Sequence, residues 1–299
     1  MKATKVFFII TFLFFTVNTI FSKEKAKHVI LIGLDGWGSY SVEKADMPNV
    51  KKLMNDGTFT LKKRAVLPSS SAVNWASMFM GAGPELHGYT DWGSKVPDLP
   101  SRVIGENNIF PTIFQLLKVT NPNAEIGCIY DWAGIKYLID TISVNYWEQS
   151  PDYNQFPESL CDMAVKYITD KKPDFAAIIF DEPDHTGHQA GHDTPEYYTT
   201  LTRLDSYVGK IIEAVKNAGI LDETIFIVTS DHGGINKGHG GKTMMEMETP
   251  FIISGKNIKS GQTIEESMMQ YDIASTIACI FGLEQPQVWI GRPMLHIFK

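Results

Sequence analysis

From residue 28 onward, short and almost unbroken apolar runs alternate with stretches whose apolar positions recur every three or four residues. The apolar runs are HVILIGL (28–34), AEIGCIY (124–130), DFAAIIF (174–180), TIFIVTS (224–230) and PFIISG (250–255). Runs this short and continuous predict strands buried on both faces of a largely parallel sheet. The periodic stretches predict helices over 46–56, 72–81, 110–119, 157–171, 195–219 and 271–282. The helix at 195–219 has the clearest ends. Asp193, Thr194 and Pro195 offer a cap and a first-turn proline, and Gly219 sits where a C-terminal glycine belongs. The alternation predicts an α/β fold, a mostly parallel central sheet with helices on both faces. Residues 85–110 are rich in Gly and Pro and have no period, which predicts a long loop.

Polar residues mark the ends of these strands, where open α/β sheets bind ligands. Asp35 follows the first run, Asp184 the third, and Asp231 and His232 the fourth. With His188 and His239 they make three carboxylates and three imidazoles, a mixed oxygen and nitrogen set that suits zinc or a similar divalent ion. Asp184 and His188 are four residues apart, so one helical turn or a tight loop aims both at one ion. Asp231 and His232 are adjacent and serve one ion or two, and His239 lies on a Gly-rich loop that can fold back. Each has a plainer role when taken singly: an Asp at a strand end caps a turn, and His185 and His192 read as exposed loop residues. Their joint placement after separate strands carries the metal reading.

A hydroxyl comes from Ser69, Ser70 and Ser71, which end an irregular segment just before the helix at 72–81. A helix start offers free N–H groups to an anion, and Ser71 would equally serve as a plain N-cap. Asn74, three residues on, would set its amide beside the same phosphoryl oxygen or lie on the helix surface.

Composition narrows the class. The 299 residues are 43% hydrophobic and 20% charged, which excludes collagen-like, disordered and multi-pass membrane chains. A balance of 27 basic to 34 acidic side chains leaves −7, which argues against nucleic-acid binding. A small phosphorylated substrate stays open, because bound metal supplies positive charge locally. Lys2 and Lys5 precede the apolar run VFFIITFLFFTVNTIF, so residues 1–22 read as a secretory signal and 23–299 as one catalytic domain. Without that leader the charge is 25 against 34, or −9. Ile20 ahead of Ser22 makes a poor cleavage site, which leaves an uncleaved membrane anchor as the alternative to a periplasmic or secreted protein. Cys128, Cys161 and Cys279 are odd in number and widely spaced, and read as buried free thiols.

The order GLDGWG, PSSSAVN with GAGPELHG, DEPDHTGH and TSDHGG resembles the alkaline phosphatase superfamily. Within it the chain is most similar to the nucleotide pyrophosphatase/phosphodiesterases, over about residues 28–255, with a weaker ending in YDIASTIACIFGL. The resemblance implies an alkaline phosphatase-like fold and two zinc ions, one held by Asp35, Asp231 and His232 and the other by Asp184, His188 and His239. It implies Ser71 as nucleophile and as a further contact of the Asp35-side ion, at a position where the diesterases more often carry Thr. It makes Asn74 the support of a non-bridging phosphate oxygen. The activity implied is hydrolysis of phosphodiesters, such as nucleotides, through a phosphoserine.

Two features depart from the family pattern. Its last metal His lies far downstream of the Asp-His pair, whereas His239 is seven residues after His232, and His296 is the far-downstream alternative. The chain is also short. A phosphomonoesterase would require extra positive charge, for which Lys237 and Lys242 flank GHGG. A sulfatase would carry C/S-x-P-x-R, which SSSAVNW lacks. A phosphotransferase needs only a different acceptor, and a metal-stabilised binding protein has no use for Ser71.

Overall fold

The computed structural model describes residues 25–152 and 154–299, so the expected leader at 1–22 lies outside the described residues. The strands are β1 (His28–Leu34), β2 (Thr58–Arg64), β3 (Ile126–Tyr130), β4 (Tyr146–Gln149), β5 (Phe175–Phe180), β6 (Thr224–Thr229), β7 (Glu248–Gly255) and β8 (Gln262–Thr263). They form one sheet in the order β4-β3-β5-β1-β6-β7-β2-β8. β7 runs antiparallel to both its neighbours, and the remaining pairs are parallel. All five strands expected from the sequence form. β2 and β4 were hidden for different reasons: TFTLKKR has a half-exposed outer face, and YWEQ is a short, mostly exposed edge strand.

Nine helices are described: α1 (Pro48–Asp56), α2 (Ser71–Met80), α3 (Pro84–His87), α4 (Ile113–Thr120), α5 (Ser159–Lys171), α6 (Asp184–Ala190), α7 (Pro195–Asn217), α8 (Met244–Met247) and α9 (Asp272–Phe281). The sheet is covered on both sides, and β1 divides its residues between them. Val29 and Leu31 pack with α2, α4 and α9, while Ile30, Ile32 and Leu34 pack with α1, α5 and α7. This alternation is what a strand buried on both faces must show. Thr194 caps α7 by accepting from the Tyr197 N–H at 3.4 Å. Gly219 follows that helix with φ +75°, the left-handed backbone that glycine adopts without a steric penalty. Residues 88–112 contain no helix or strand. Cys128 and Cys161 are buried free thiols, whereas Cys279 is half-buried, because it sits on the partly open side of α9. Among the described residues, no helix is long and apolar enough to cross a membrane.

Candidate metal centre and nucleophile

The parallel strands deliver their C-terminal ends to one place. Asp35 follows β1, Asp184 opens α6 just beyond β5, and Asp231 and His232 follow β6. The ends are tied together by the backbone: Asp35 N–H donates to Phe180 O, and Asp184 N–H to Asp35 O, both at 3.0 Å. Trp75, one turn into α2 from Ser71, donates its indole N–H to Asp35 Oδ2 at 2.8 Å. Gly36 N–H donates to Asp231 Oδ1 at 3.2 Å. Two of the three carboxylates are therefore held by hydrogen bonds, and the third, Asp184, is placed by its backbone.

The imidazoles complete two groups. Asp35, Asp231 and His232 bring ligand atoms within 4.8 Å of one another, and so do Asp184, His232 and His239. His232 Nε2 is 3.2 Å from Asp231 Oδ2 and 3.4 Å from Asp35 Oδ1. His188 Nε2 lies 3.1 Å and His239 Nε2 3.6 Å from Asp184 Oδ2, and the His232 and His239 rings stack at 3.9 Å. His188 is on α6, so the helical turn rather than the tight loop aims it at Asp184. Ser71 Oγ is 3.1 Å from His232 Nε2 and 3.5 Å from Asp35 Oδ1.

Backbone carbonyls fix the ring orientations. His188 Nδ1 faces Lys237 O at 2.9 Å, His232 Nδ1 faces Gly233 O at 2.8 Å, and His239 Nδ1 faces Ser69 O at 3.1 Å. A carbonyl can only accept, so each Nδ1 carries a proton, and in the neutral ring each Nε2 turns a lone pair inward. Those lone pairs face carboxylate oxygens, and Asp184 Oδ1 and Asp231 Oδ2 are buried without a hydrogen-bond partner. Acceptors facing acceptors in a buried site are satisfied by a cation among them or by protons. The donor set and its outer supports fit divalent zinc.

The electrostatics agree. Burial, together with repulsion from the neighbouring carboxylates, pushes Asp35 and Asp231 well above the usual carboxylate range. Burial also works to raise Asp184, but the surrounding histidines outweigh it and hold that carboxyl well below its ordinary value. The contact with Asp184 raises His188 to about 9, and burial drives His232 down to about 3. A cluster whose groups are displaced this far, in both directions, is typical of functional sites.

Several expectations change. Asn74 is fully buried and does not face the site. Its Oδ1 accepts from Val66 N–H at 2.7 Å, and its Nδ2 donates to Val66 O, Pro68 O and Ser70 O at 3.0–3.2 Å. The amide is spent on the loop that carries Ser71, so no donor is left for a phosphate oxygen. Asn74→Ala should therefore cost roughly 1–3 kcal/mol of stability, because Val66 N–H loses its buried acceptor. It should lower turnover of monoesters and diesters equally; thermal melts and paired assays check this. Ser70, not Ser71, is the N-cap of α2, and Ser71 is its first residue. The Ala72 N–H is already donated to Trp92 O at 3.2 Å, so the helix start has one donor fewer for an anion.

His192 is buried against Asp184 rather than exposed, and His185 is half-buried beside Gln189. His296 is exposed, paired with Glu266 and outside both donor groups. Lys63 was missed altogether. Its ammonium is fully buried behind the Asp-His turn, donating to Ser230 O at 2.9 Å and to Gln270, and burial lowers it to about 7. The pair Lys62-Lys63 on an alternating strand was the available signal, since one of two adjacent side chains must point inward.

A cavity of about 580 Å³ opens beside the cluster, lined by Pro68, Ser70, Asp91, Trp92, His188 and the 238–240 loop. No Lys or Arg lines it, and Lys237 and Lys242 are exposed elsewhere on the loop. Trp92 is 62% exposed at its mouth. The family profile for type I phosphodiesterases/nucleotide pyrophosphatases matches residues 29–271, a span that contains every one of these residues except His296. The chain belongs to this family.

This type I phosphodiesterase family member is 28% identical to venom phosphodiesterase 2 of Crotalus adamanteus over 224 residues, covering 69% of the chain and 26% of the relative. It is 27% identical to rat ectonucleotide pyrophosphatase/phosphodiesterase family member 1 over 219 residues, covering 68% and 24%. The chain thus spans about a quarter of the length of these relatives. Murine ectonucleotide pyrophosphatase/phosphodiesterase 5, in an inactive form in complex with AMP, superposes with a TM-score of 0.71 at 16% identity, covering 88% of this chain and 96% of that one. A 2-O GAG sulfatase gives 0.73 at 14% identity, covering 91% and 74%. These likenesses establish the alkaline phosphatase-like fold and do not separate diesterase from sulfatase.

Proposed function

We propose that the protein is an exported hydrolase of phosphodiesters, nucleotides or similar small diesters, that works through a phosphoserine at Ser71. The observation that carries this reading is the position of Ser71 Oγ, 3.1 Å from His232 Nε2 at the first residue of a buried helix, beside two convergent donor groups. Asp35, Asp231 and His232 would hold one divalent ion and Asp184, His188 and His239 the other. The ions held by these residues would neutralise the buried carboxylates and would supply positive charge where a phosphoryl group enters. Ser71 Oγ loses its proton to solvent as it bonds to phosphorus, and the ester oxygen leaves and takes up a proton as the alcohol. Water later cleaves the phosphoserine to return the hydroxyl and release the monoester. Trp75 and Gly36 hold the Asp35 and Asp231 carboxylates through the attack. Trp92 offers a flat surface to whatever lies beyond the phosphate.

Diester over monoester is favoured by the cavity lining, which has no Lys or Arg to meet a second phosphate charge. The test is paired turnover of bis(nitrophenyl) phosphate and nitrophenyl phosphate by the zinc-loaded protein. We expect kcat/KM to favour the diester by about tenfold or more, equivalent to roughly 1.4 kcal/mol. A preference for the monoester overturns the diesterase reading and promotes the phosphatase one. Absence of turnover on either substrate favours a binding protein. The apolar leader at 1–22 and the venom and ecto-enzyme names of the relatives support export.

A further inference from the structure

His192 lies between α6 and α7, in a segment whose histidines read as loop residues, yet its side chain has no exposed surface. Two glycines of the metal-site motifs leave room for it. A Cβ on Gly187 would come within 2.4 Å of its ring, and one on Gly234 within 2.2 Å. Gly187 belongs to DEPDHTGH and Gly234 to TSDHGG, so both strand-end motifs are shaped around this imidazole. Tyr197 packs on it with ring centroids 5.5 Å apart. His192 Nε2 lies 3.4 Å from Asp184 Oδ1, and both atoms are buried with no hydrogen-bond partner.

The other nitrogen separates His192 from the three histidines assigned to the ions. The carbonyls of Lys237, Gly233 and Ser69 meet those rings at 2.8–3.1 Å and hold the Nδ1 protons. His192 Nδ1 lies 3.2 Å from Asn236 O, which already accepts the His192 backbone N–H at 2.6 Å. That oxygen is shared with the backbone N–H, whereas the Asp184 carboxylate is an anion and the stronger acceptor, so the ring proton goes to Nε2. We propose that His192 is a positioning residue of the metal centre: its Nε2–H holds Asp184 Oδ1 and leaves Oδ2 turned to the ion shared with His188 and His239. The proposal rests on the two-metal reading above. Outer partners of this kind typically change metal affinity 10- to 100-fold when removed.

His192→Phe is the decisive variant, because it keeps a ring in the glycine cradle and removes the donor. Zinc affinity of each site is measured by competition with a fluorescent chelator, alongside thermal melts of the metal-free proteins. Wild type should bind two zinc ions. His192→Phe should hold one of them about 10- to 100-fold more weakly, with a metal-free Tm close to wild type. His192→Gln, which restores an N–H donor, should recover most of the loss. Unchanged affinity in His192→Phe, or a glutamine variant as weak as the phenylalanine one, overturns the proposal. If the phenylalanine protein does not fold, His192→Gln against His192→Ala decides: tighter zinc binding by the glutamine variant supports the role, and equal binding overturns it. Wild type that binds no zinc would instead overturn the two-metal reading, and this proposal with it.

Discussion

Ser71→Ala should abolish turnover, by on the order of 10⁴-fold or more, while the protein keeps its full metal content. The hydroxyl is the only group on α2 that reaches the cluster as a nucleophile, and the three Asp and three His remain when it is removed. Ser71→Thr should keep measurable activity, since it presents the same hydroxyl. The neighbouring serines supply the control. Ser70 Oγ is buried with no hydrogen-bond partner, so Ser70→Ala should be mild. Ser69 is different: its Oγ donates to Gly241 O at 2.6 Å and accepts from Gly240 N–H at 3.2 Å, clamping the loop that carries His239. Ser69→Ala should therefore act through metal affinity, and added zinc should restore its rate. An essential Ser70 beside a dispensable Ser71 would shift the nucleophile by one residue and overturn the assignment. Steady-state rates with elemental analysis on the same preparations distinguish these outcomes.

The parts of the fold that the sequence made legible are those where one physical rule dominates. Strands buried on both faces cannot hide, because every position must be apolar, and β1, β3, β5, β6 and β7 were readable for that reason. β2 was not, since its outer face is half-exposed and a buried lysine sits in its second half. The clustering of Asp and His at the strand ends was readable because parallel strands place their C-terminal ends together whatever the loops do. Asn74 misled for a specific reason. Its spacing from Ser71 fits one turn of helix, but spacing does not say which side of the helix start faces the ligand, and the loop before α2 claims the amide first. His192 was misread because burial of a polar ring depends on Gly187 nearby and on Gly234, which is remote in sequence and meaningful only once the chain is folded. What sequence pattern resolves is the set of donors; what it cannot resolve is which carbonyl or carboxylate each polar atom meets.

Stripping metal should abolish activity and lower Tm by more than about 10 °C. Each ion bound at roughly 1,000 times its Kd contributes about 4 kcal/mol, so two contribute about 8 kcal/mol, and in a chain of this size each kcal/mol moves Tm by about 2 °C. The structural cause is the set of buried carboxylates at Asp35, Asp184 and Asp231, two of which have an oxygen with no protein partner. Without a cation Asp35 Oδ1 and Asp231 Oδ2 face the inward nitrogen of His232, and Asp184 Oδ2 faces that of His239. Zinc reconstitution should return two ions per chain by elemental analysis and restore both Tm and rate. Asp231→Ala and Asp184→Ala separate the two groups. Each should retain one tightly bound ion, because the opposite carboxylate group is left intact, and each should lose activity. Asp231→Ala should also lose the Gly36 N–H contact that fixes the turn after β1, so its metal-free form should melt below that of wild type. One ion or none in reconstituted wild type would overturn the two-metal centre, and a Tm unmoved by chelation would mean that protons alone satisfy the cluster.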